Sequence, residues 1–344
     1  MLIVRSEEHR KHFPKGELHR GELVRPFECP ERVDYVNAAL DAGGMTEVVP
    51  VEPVEDELLT QVHDAGYVDF LRTAWTDWSN LGNTSDMIPG CFPARRMNGH
   101  VPDHVDGKLG WYAFAAETAI VAGTWEAAHG AAALARTAQR SVSAGADSAF
   151  ALCRPPGHHA SADYFGGYCF LNNAAIAAQG FRNDGADRVA VLDIDFHHGN
   201  GTQDIFYERD DVFFASLHGD PAQEFPYFLG YSDEEGAGRG VGYNANYPMA
   251  PGTTFDVWCE ALNSALDRIS SFGAEALVVS LGVDTFESDP ISSFRLASAD
   301  FTTCGRRIGQ LGLPTVYVME GVYAVEEIGT NTVNVLVGHS ESAH

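Results

Sequence analysis

The segment from Val191 to Phe206, "VLDIDFHHGNGTQDIF", carries two aspartates and two histidines directly after an apolar run. Read as a strand, it sends Asp193, Asp195 and His197 to one face and Leu192, Ile194 and Phe196 to the other. Neighbours on one face lie about 6.5–7 Å apart at Cα, close enough for Asp195 and His197 to converge on one ion. A separate "GVD" brings Asp284. These three residues offer two carboxylates and one imidazole with a fourth position open, which is the donor set of a catalytic zinc rather than a closed structural one. Iron(II) and cobalt accept the same donors. Without an ion or mutual pairing, bringing such groups into a core would be costly.

Asp193 shares that face but lies deeper, so it is expected to orient an imidazole or to bind a monovalent cation. His198 points away and is read as structural. The tandem His158-His159 sits in "RPPGHHA", where Pro and Gly force a turn. Beside a metal, such a pair can supply a general base and a cationic stabiliser. Asn200, in "HHGNG", can accept a bond from an imidazole N–H, and an amide raises imidazole basicity less than a carboxylate would.

The elements that must position these groups alternate along the chain. Strands are expected at "LIVR" near residue 2, "SAFALC" (148–153), "RVAVLDID" (188–195), "VFFASLH" (212–218), "ALVVSLGV" (276–283) and "PTVYVME" (314–320). Between them lie helical patterns: "ERVDYVNAALDAG", "EDELLTQVHDAGYVDFLRTAW", "WYAFAAETAIVAGTWEAAHGAAALARTAQRSV", "NNAAIAAQGFRNDG" and "DVWCEALNSALDRISSFG". The alternation argues for βα units around a parallel sheet. Successive strand ends run into "RPPGHHA", "FHHGNG", "HGD", "DTF" and "GVY", and ligands of open parallel sheets bind beyond the carboxyl ends of the strands. Residues 79–110 break the pattern; they are rich in Gly, Pro, Asn and Asp and read as a long inserted loop of the functional kind.

Composition sets outer bounds. The chain has 344 residues and 45% apolar content, enough for one large α/β domain. Acids outnumber bases 48 to 22, a net charge of −26. Nucleic acid and anionic membranes are therefore not expected partners; the field would attract cationic ligands, although most of the charge reads as a solvated acidic surface. Six scattered cysteines without a CxxC pair read as reduced thiols in a cytoplasmic protein, and the charged start "MLIVRSEEHRKHF" does not read as a leader.

Taken together, "RPPGHHA", "GGYCFLNNAAIAA", "VLDIDFHHGNGTQDIF", "VFFASLHGDP", "SLGVDTFESDP" and "MEGVY" resemble the zinc-dependent histone deacetylase family, collinearly from about residue 150 to 325. "ELVRPFECPERV" and "VHDAGYVDFL" extend the match upstream, and "GTWEAA" with the 79–110 loop looks most like its bacterial acetylpolyamine amidohydrolase branch. The resemblance implies the arginase-deacetylase fold over residues 1–344, one α/β domain around an eight-stranded parallel sheet with helices on both faces. It implies one Zn²⁺ per subunit on Asp195, His197 and Asp284. His158 and His159 would be the catalytic pair, backed by Asp193 and Asn200 respectively, with Tyr323 as the catalytic tyrosine. Two K⁺ ions are implied as well. The inner one lies around Asp193, Asp195, His197, Ser216 and Leu217, and the outer on backbone oxygens of Phe206, Arg209, Val212 and Tyr243. Tyr168 and Phe225 would flank an aliphatic chain, while Glu117 and Asp106 would bind a distal ammonium. The 79–110 loop would narrow the tunnel across a homodimer interface.

The implied reaction is hydrolysis of acetylpolyamines such as N-acetylputrescine, N-acetylcadaverine and N8-acetylspermidine to acetate and amine. Broader acetyl-lysine deacetylation of peptides, a two-manganese ureohydrolase and a silent binding protein are the alternatives. One position departs from the family pattern, which reads "EGGY" where this chain reads "EGVY". If that glycine needs positive φ, Val322 strains the loop.

Overall fold

A computed structural model of the chain describes every residue except Arg95, Arg96, Asn98, Val325, Ala343 and His344. Its strands are β1 (Leu2–Val4), β2 (Glu17–His19), β3 (Glu22–Val24), β4 (Ser148–Ala151), β5 (Val189–Asp193), β6 (Val212–Gly219), β7 (Asn244–Met249), β8 (Ala276–Leu281) and β9 (Thr315–Met319). Its helices are α1 (Glu31–Ala42), α2 (Asp56–Val62), α3 (Ala65–Asn80), α4 (Val105–Tyr112), α5 (Thr124–Ser143), α6 (Asn173–Asn183), α7 (Asn200–Phe206), α8 (Phe255–Phe272), α9 (Ser298–Gly309) and α10 (Ile328–Ser342). The fold is a single α/β domain. Seven parallel strands form the main sheet in the order β1-β4-β9-β8-β5-β6-β7, and β2 and β3 form a separate antiparallel hairpin.

The expected eight strands are therefore seven. Beside β1, Ile3 makes one isolated parallel bridge to Val48, and Pro50 has no N–H with which to extend the ladder. All six strands expected from the sequence are present. The seventh, "NANYPM", was missed because Asn and Pro dilute its pattern; it is an edge strand, where Pro248 costs no ladder bond to a further neighbour.

Period-two alternation builds both faces of the sheet. Val189 and Val191 pack with α5 and α6, while Ala190 and Leu192 pack with α1, α8, α9 and α10. Two helix expectations change. "EDELLTQVHDAGYVDFLRTAW" breaks at His63-Asp64, because the Asp64 carboxylate caps α3 by accepting from Gly66 N (2.8 Å) and Tyr67 N (3.2 Å). The long pattern from Trp111 becomes helical as α5 only at Thr124, after Gly123 at φ +87°. Residues 113–123 are thereby left as irregular wall, and the 79–110 segment ends inside α4.

Candidate metal centre and its cleft

Just beyond the β5 end, Asp195 and His197 meet Asp284, which follows β8. The three ligand atoms lie within 4.8 Å of one another. His197 Nδ1 is 3.0 Å from Asp284 Oδ2 and 3.4 Å from Asp195 Oδ1. The remaining carboxylate oxygens are tied to backbone. Phe196 N donates to Asp284 Oδ1 (2.8 Å) and Gly321 N to Asp195 Oδ2 (2.8 Å). Gly282 is required here, since a Cβ would sit 2.1 Å from Asp195 Oδ2. Burial alone would lower the His197 pKa, but its bonds to Asp195 and Asp284 outweigh that and lift it to about 10. The trio thus demands a positive charge. Two anionic oxygens and an imidazole nitrogen fit a divalent ion of the zinc class, with His197 neutral once the ion replaces the proton.

The tandem histidines stand beside this trio, their ring centroids 4.0 Å apart. Each donates its Nδ1–H to a different kind of partner: His158 to Asp193 Oδ2 at 2.9 Å, His159 to Asn200 Oδ1 at 2.6 Å. Burial pulls both pKa values down. For His158 the charges of Asp193 and Asp195 prevail and raise it to about 10. For His159 burial is reinforced by His158 and His197, and its pKa falls well below 6.5. A cationic and a neutral imidazole therefore stand side by side, the neutral one presenting Nε2 as a base.

Tyr323 lies across from them on the loop after β9. Its backbone N–H donates to Asp289 Oδ2 (2.7 Å), and its ring is 5.6 Å from that of Tyr168. Val322 resolves the expected strain. Among the described residues the non-glycines at positive φ are Arg20, Tyr168 and Tyr227, so Val322 has an ordinary backbone and packs in the core against α10.

A cleft of about 460 Å³ opens above, lined by His159, His197, Tyr323, Tyr168, Phe225 and the carboxylates Glu17, Glu117 and Glu224. Phe225 stands edge-on to His159 at 5.0 Å and stacks on Phe114 at 5.6 Å. Tyr168 is held at φ +65°, a conformation costing about 1–3 kcal/mol, by wall groups: Glu117 Oε1 accepts from Gly167 N (2.9 Å) and Thr118 Oγ1 from Tyr168 N (2.8 Å). Burial raises the Glu117 pKa. Asp106 is not in this group; it is exposed in the first turn of α4, outside the lining of the cleft.

Of the residues tied to potassium, Asp193 and Ser216 are register partners across β5 and β6, with Leu217 next along β6. The Phe206 carbonyl accepts from Arg209 N and the Tyr243 carbonyl from Phe214 N, which gathers that second set around the α7–β6 turn that also holds Val212.

Sequence reasoning missed several supports. Glu17, on the short polar hairpin, accepts from Tyr168 Oη (3.0 Å) and Phe27 N (3.0 Å). Arg32 donates to the carbonyls of Val322 (2.7 Å) and Glu320 (2.6 Å), pairs with Glu28 (2.8 Å) and lies 5.1 Å over the Tyr323 ring. The Glu28–Arg32 spacing of four residues in "ECPER" was an available signal. Asp289, inside the quoted "ESDP", had none.

A parallel sheet ending in an acid–histidine metal trio defines the class, and a family match agrees: the histone deacetylase domain model covers residues 26–338, and the chain belongs to that family. Among its relatives, the acetylpolyamine amidohydrolase 1 of Pseudomonas aeruginosa is 54% identical with all of both chains aligned. The acetylpolyamine amidohydrolase of Mycoplana ramosa is 55% identical over 98% of this chain and 99% of that one. The crystal structure of the acetylpolyamine aminohydrolase from Burkholderia pseudomallei superposes with a TM-score of 0.95 at 38% identity, covering 99% of each chain.

Proposed function

We propose that the protein hydrolyses acetylated polyamines, such as N-acetylputrescine, N-acetylcadaverine and N8-acetylspermidine, to acetate and the free amine. The observation that carries this reading is the meeting of the Asp195–His197–Asp284 trio, His159 and Tyr323 at the floor of a cleft walled by carboxylates. Full-length similarity to acetylpolyamine amidohydrolases supports it.

A Zn²⁺ ion on the trio, one per subunit, would polarise the acetyl carbonyl and acidify the attacking water, and Fe²⁺ or Co²⁺ would serve alike. His159 Nε2 takes the proton of that water and returns it to the leaving amine nitrogen, with Asn200 fixing the tautomer. His158, held cationic by Asp193, stabilises developing negative charge without giving up its proton. Tyr323 O–H donates to the tetrahedral oxyanion of the substrate. Tyr168 and Phe225 flank the methylene chain, and Glu117 meets an ammonium further out. Potassium ions at the Asp193/Asp195/His197/Ser216/Leu217 and Phe206/Arg209/Val212/Tyr243 positions would balance buried acids and carbonyls. Exposed Met97 and Val101 give the 79–110 segment apolar surface for a homodimer, through which Asp106 would reach a partner's cleft. No helix among the described residues is long and apolar enough to cross a membrane, and the free cysteines suit a reducing cytoplasm.

The test is metal-stripped protein restored with Zn²⁺ and assayed on N-acetylputrescine, N8-acetylspermidine and an acetyl-lysine peptide. Activity should return with one equivalent of metal and favour the acetylpolyamines. Equal or better turnover of the peptide would make it a broad lysine deacetylase, and a need for two manganese ions would make it a ureohydrolase.

A further inference from the structure

Around His158, one of the tandem histidines, three buried groups come together from separate parts of the chain: His158 from the turn after β4, Cys169 from the turn before α6, and Glu320 directly after β9. Their ligand atoms lie within 4.8 Å of one another. Each has one engaged side and one spare donor. His158 uses Nδ1 on Asp193, which leaves Nε2, 3.9 Å from the nearest Asp195 oxygen. Glu320 Oε2 accepts from Gly157 N (2.6 Å) and His158 N (3.1 Å), while Oε1 is buried with no partner. Cys169 Sγ–H donates to the Gly167 carbonyl at 3.2 Å, which leaves the sulfur lone pairs for an ion.

A buried carboxylate oxygen without a donor costs about 1–3 kcal/mol or more, and hydrogen bonds within the chain do not relieve this one. A cation would. We propose that His158, Cys169 and Glu320 form a second metal site, selective for thiophilic divalent ions, whose occupation inhibits the enzyme. One thiolate, one imidazole and one carboxylate suit Zn²⁺ and the softer Cd²⁺ and reject Mg²⁺ or Ca²⁺. The thiol, the carboxyl and the Nε2–H of His158 give up their protons on binding, so a divalent ion replaces that cationic charge and leaves the ligand set neutral, the state that burial favours. The inhibition rests on the deacetylase reading, because the ion would occupy His158 Nε2; the binding itself does not. Repulsion from the ion already on the Asp195–His197–Asp284 trio makes this the weaker site, filled second. All three groups are buried, so entry runs through the cleft floor and inhibition should develop slowly.

The test starts from enzyme holding one equivalent of Zn²⁺ and adds Cd²⁺. Bound metal per chain, the ultraviolet charge-transfer band of a cadmium–thiolate bond, and residual turnover are read together. A second equivalent should bind with the thiolate band, and turnover should fall about 100-fold, the scale of losing one electrostatic stabiliser of the transition state. Cys169→Ser should abolish the band, the second equivalent and the inhibition while keeping its starting turnover. Cys91→Ser, at the exposed cysteine, should change none of these. Glu320→Gln, which keeps an acceptor for the two backbone donors, should also lose the second ion and serves if the cysteine variant fails to fold. Cadmium that merely displaces the first zinc without a band, or inhibition that persists in both variants, would overturn the proposal. Should the one-zinc enzyme prove inactive on acetylpolyamines, stoichiometry and the band still decide whether the site exists.

Discussion

The floor of the cleft and its walls are built by different means. At the floor, Asp195, His197 and Asp284 project from the ends of β5 and β8, central strands with neighbours on both sides, and their spare oxygens are bonded to backbone N–H groups. The walls come from the β2–β3 hairpin, residues 113–123, the 166–172 turn and the loop after β6, held by scattered long-range side-chain bonds such as Tyr168 Oη to Glu17 and Gly167 N to Glu117. Rigid ladders fix atoms that must act on one bond. Loops suffice for a wall that selects by charge and width, and loops can be altered without disturbing the ladder.

The sharpest way to break this comparison is to disable a floor donor. Tyr323→Phe removes one hydroxyl from a residue whose backbone remains tied to Asp289 and whose ring remains under Arg32. Turnover should fall by about 100- to 1000-fold with metal content unchanged, the usual cost of an oxyanion donor. Near-normal kcat would take Tyr323 out of the reaction. A wall residue should behave otherwise. Glu117→Ala should lower kcat/KM for N8-acetylspermidine by roughly 10-fold, the worth of one charge-assisted hydrogen bond, and should spare a neutral acetamide of equal length. Equal losses on both would mean that Glu117 serves only to hold Gly167 and Tyr168 in place.

The same division explains what the sequence made legible. Period-two spacing grouped Asp193, Asp195 and His197 before any coordinates, but the strand expected to reach 195 ends at Asp193, and Asp195 and His197 converge on Asp284 in the turn just beyond it. The Asp193–His158 and Asn200–His159 pairings, implied by the family pattern, are present at 2.9 and 2.6 Å. What stayed hidden was set by contacts across long stretches of chain. Glu117 looked like part of a helix running from Trp111 to α5; a left-handed glycine at 123 and a bond to Gly167, 50 residues on, decided otherwise. Arg32 reaches carbonyls 288 and 290 residues away, a separation no local pattern encodes. The seventh strand was lost because an edge position tolerates Asn and Pro that a central strand would refuse.

One imidazole joins the two regions, and it gives the mildest prediction. His63 bonds through Nδ1 to the carbonyl of Ser161, just past the tandem histidines, and through Nε2 to the N–H of Asn172, just past Tyr168. Nε2 must be the acceptor, so the ring must be neutral; protonation would set N–H against N–H. Burial lowers its pKa from 6.5 to about 4. The unfolded chain therefore binds this proton first as pH falls. The contribution is whole above pH 6.5 and is lost as pH drops from there towards 4, about 3 kcal/mol in all. Urea unfolding of the wild type and His63→Gln at several pH values should show the stability gap between them closing through that window, with turnover at neutral pH little changed. A gap independent of pH would mean that the joint holds by packing alone, and that floor and walls are less separately fastened than the bonds suggest.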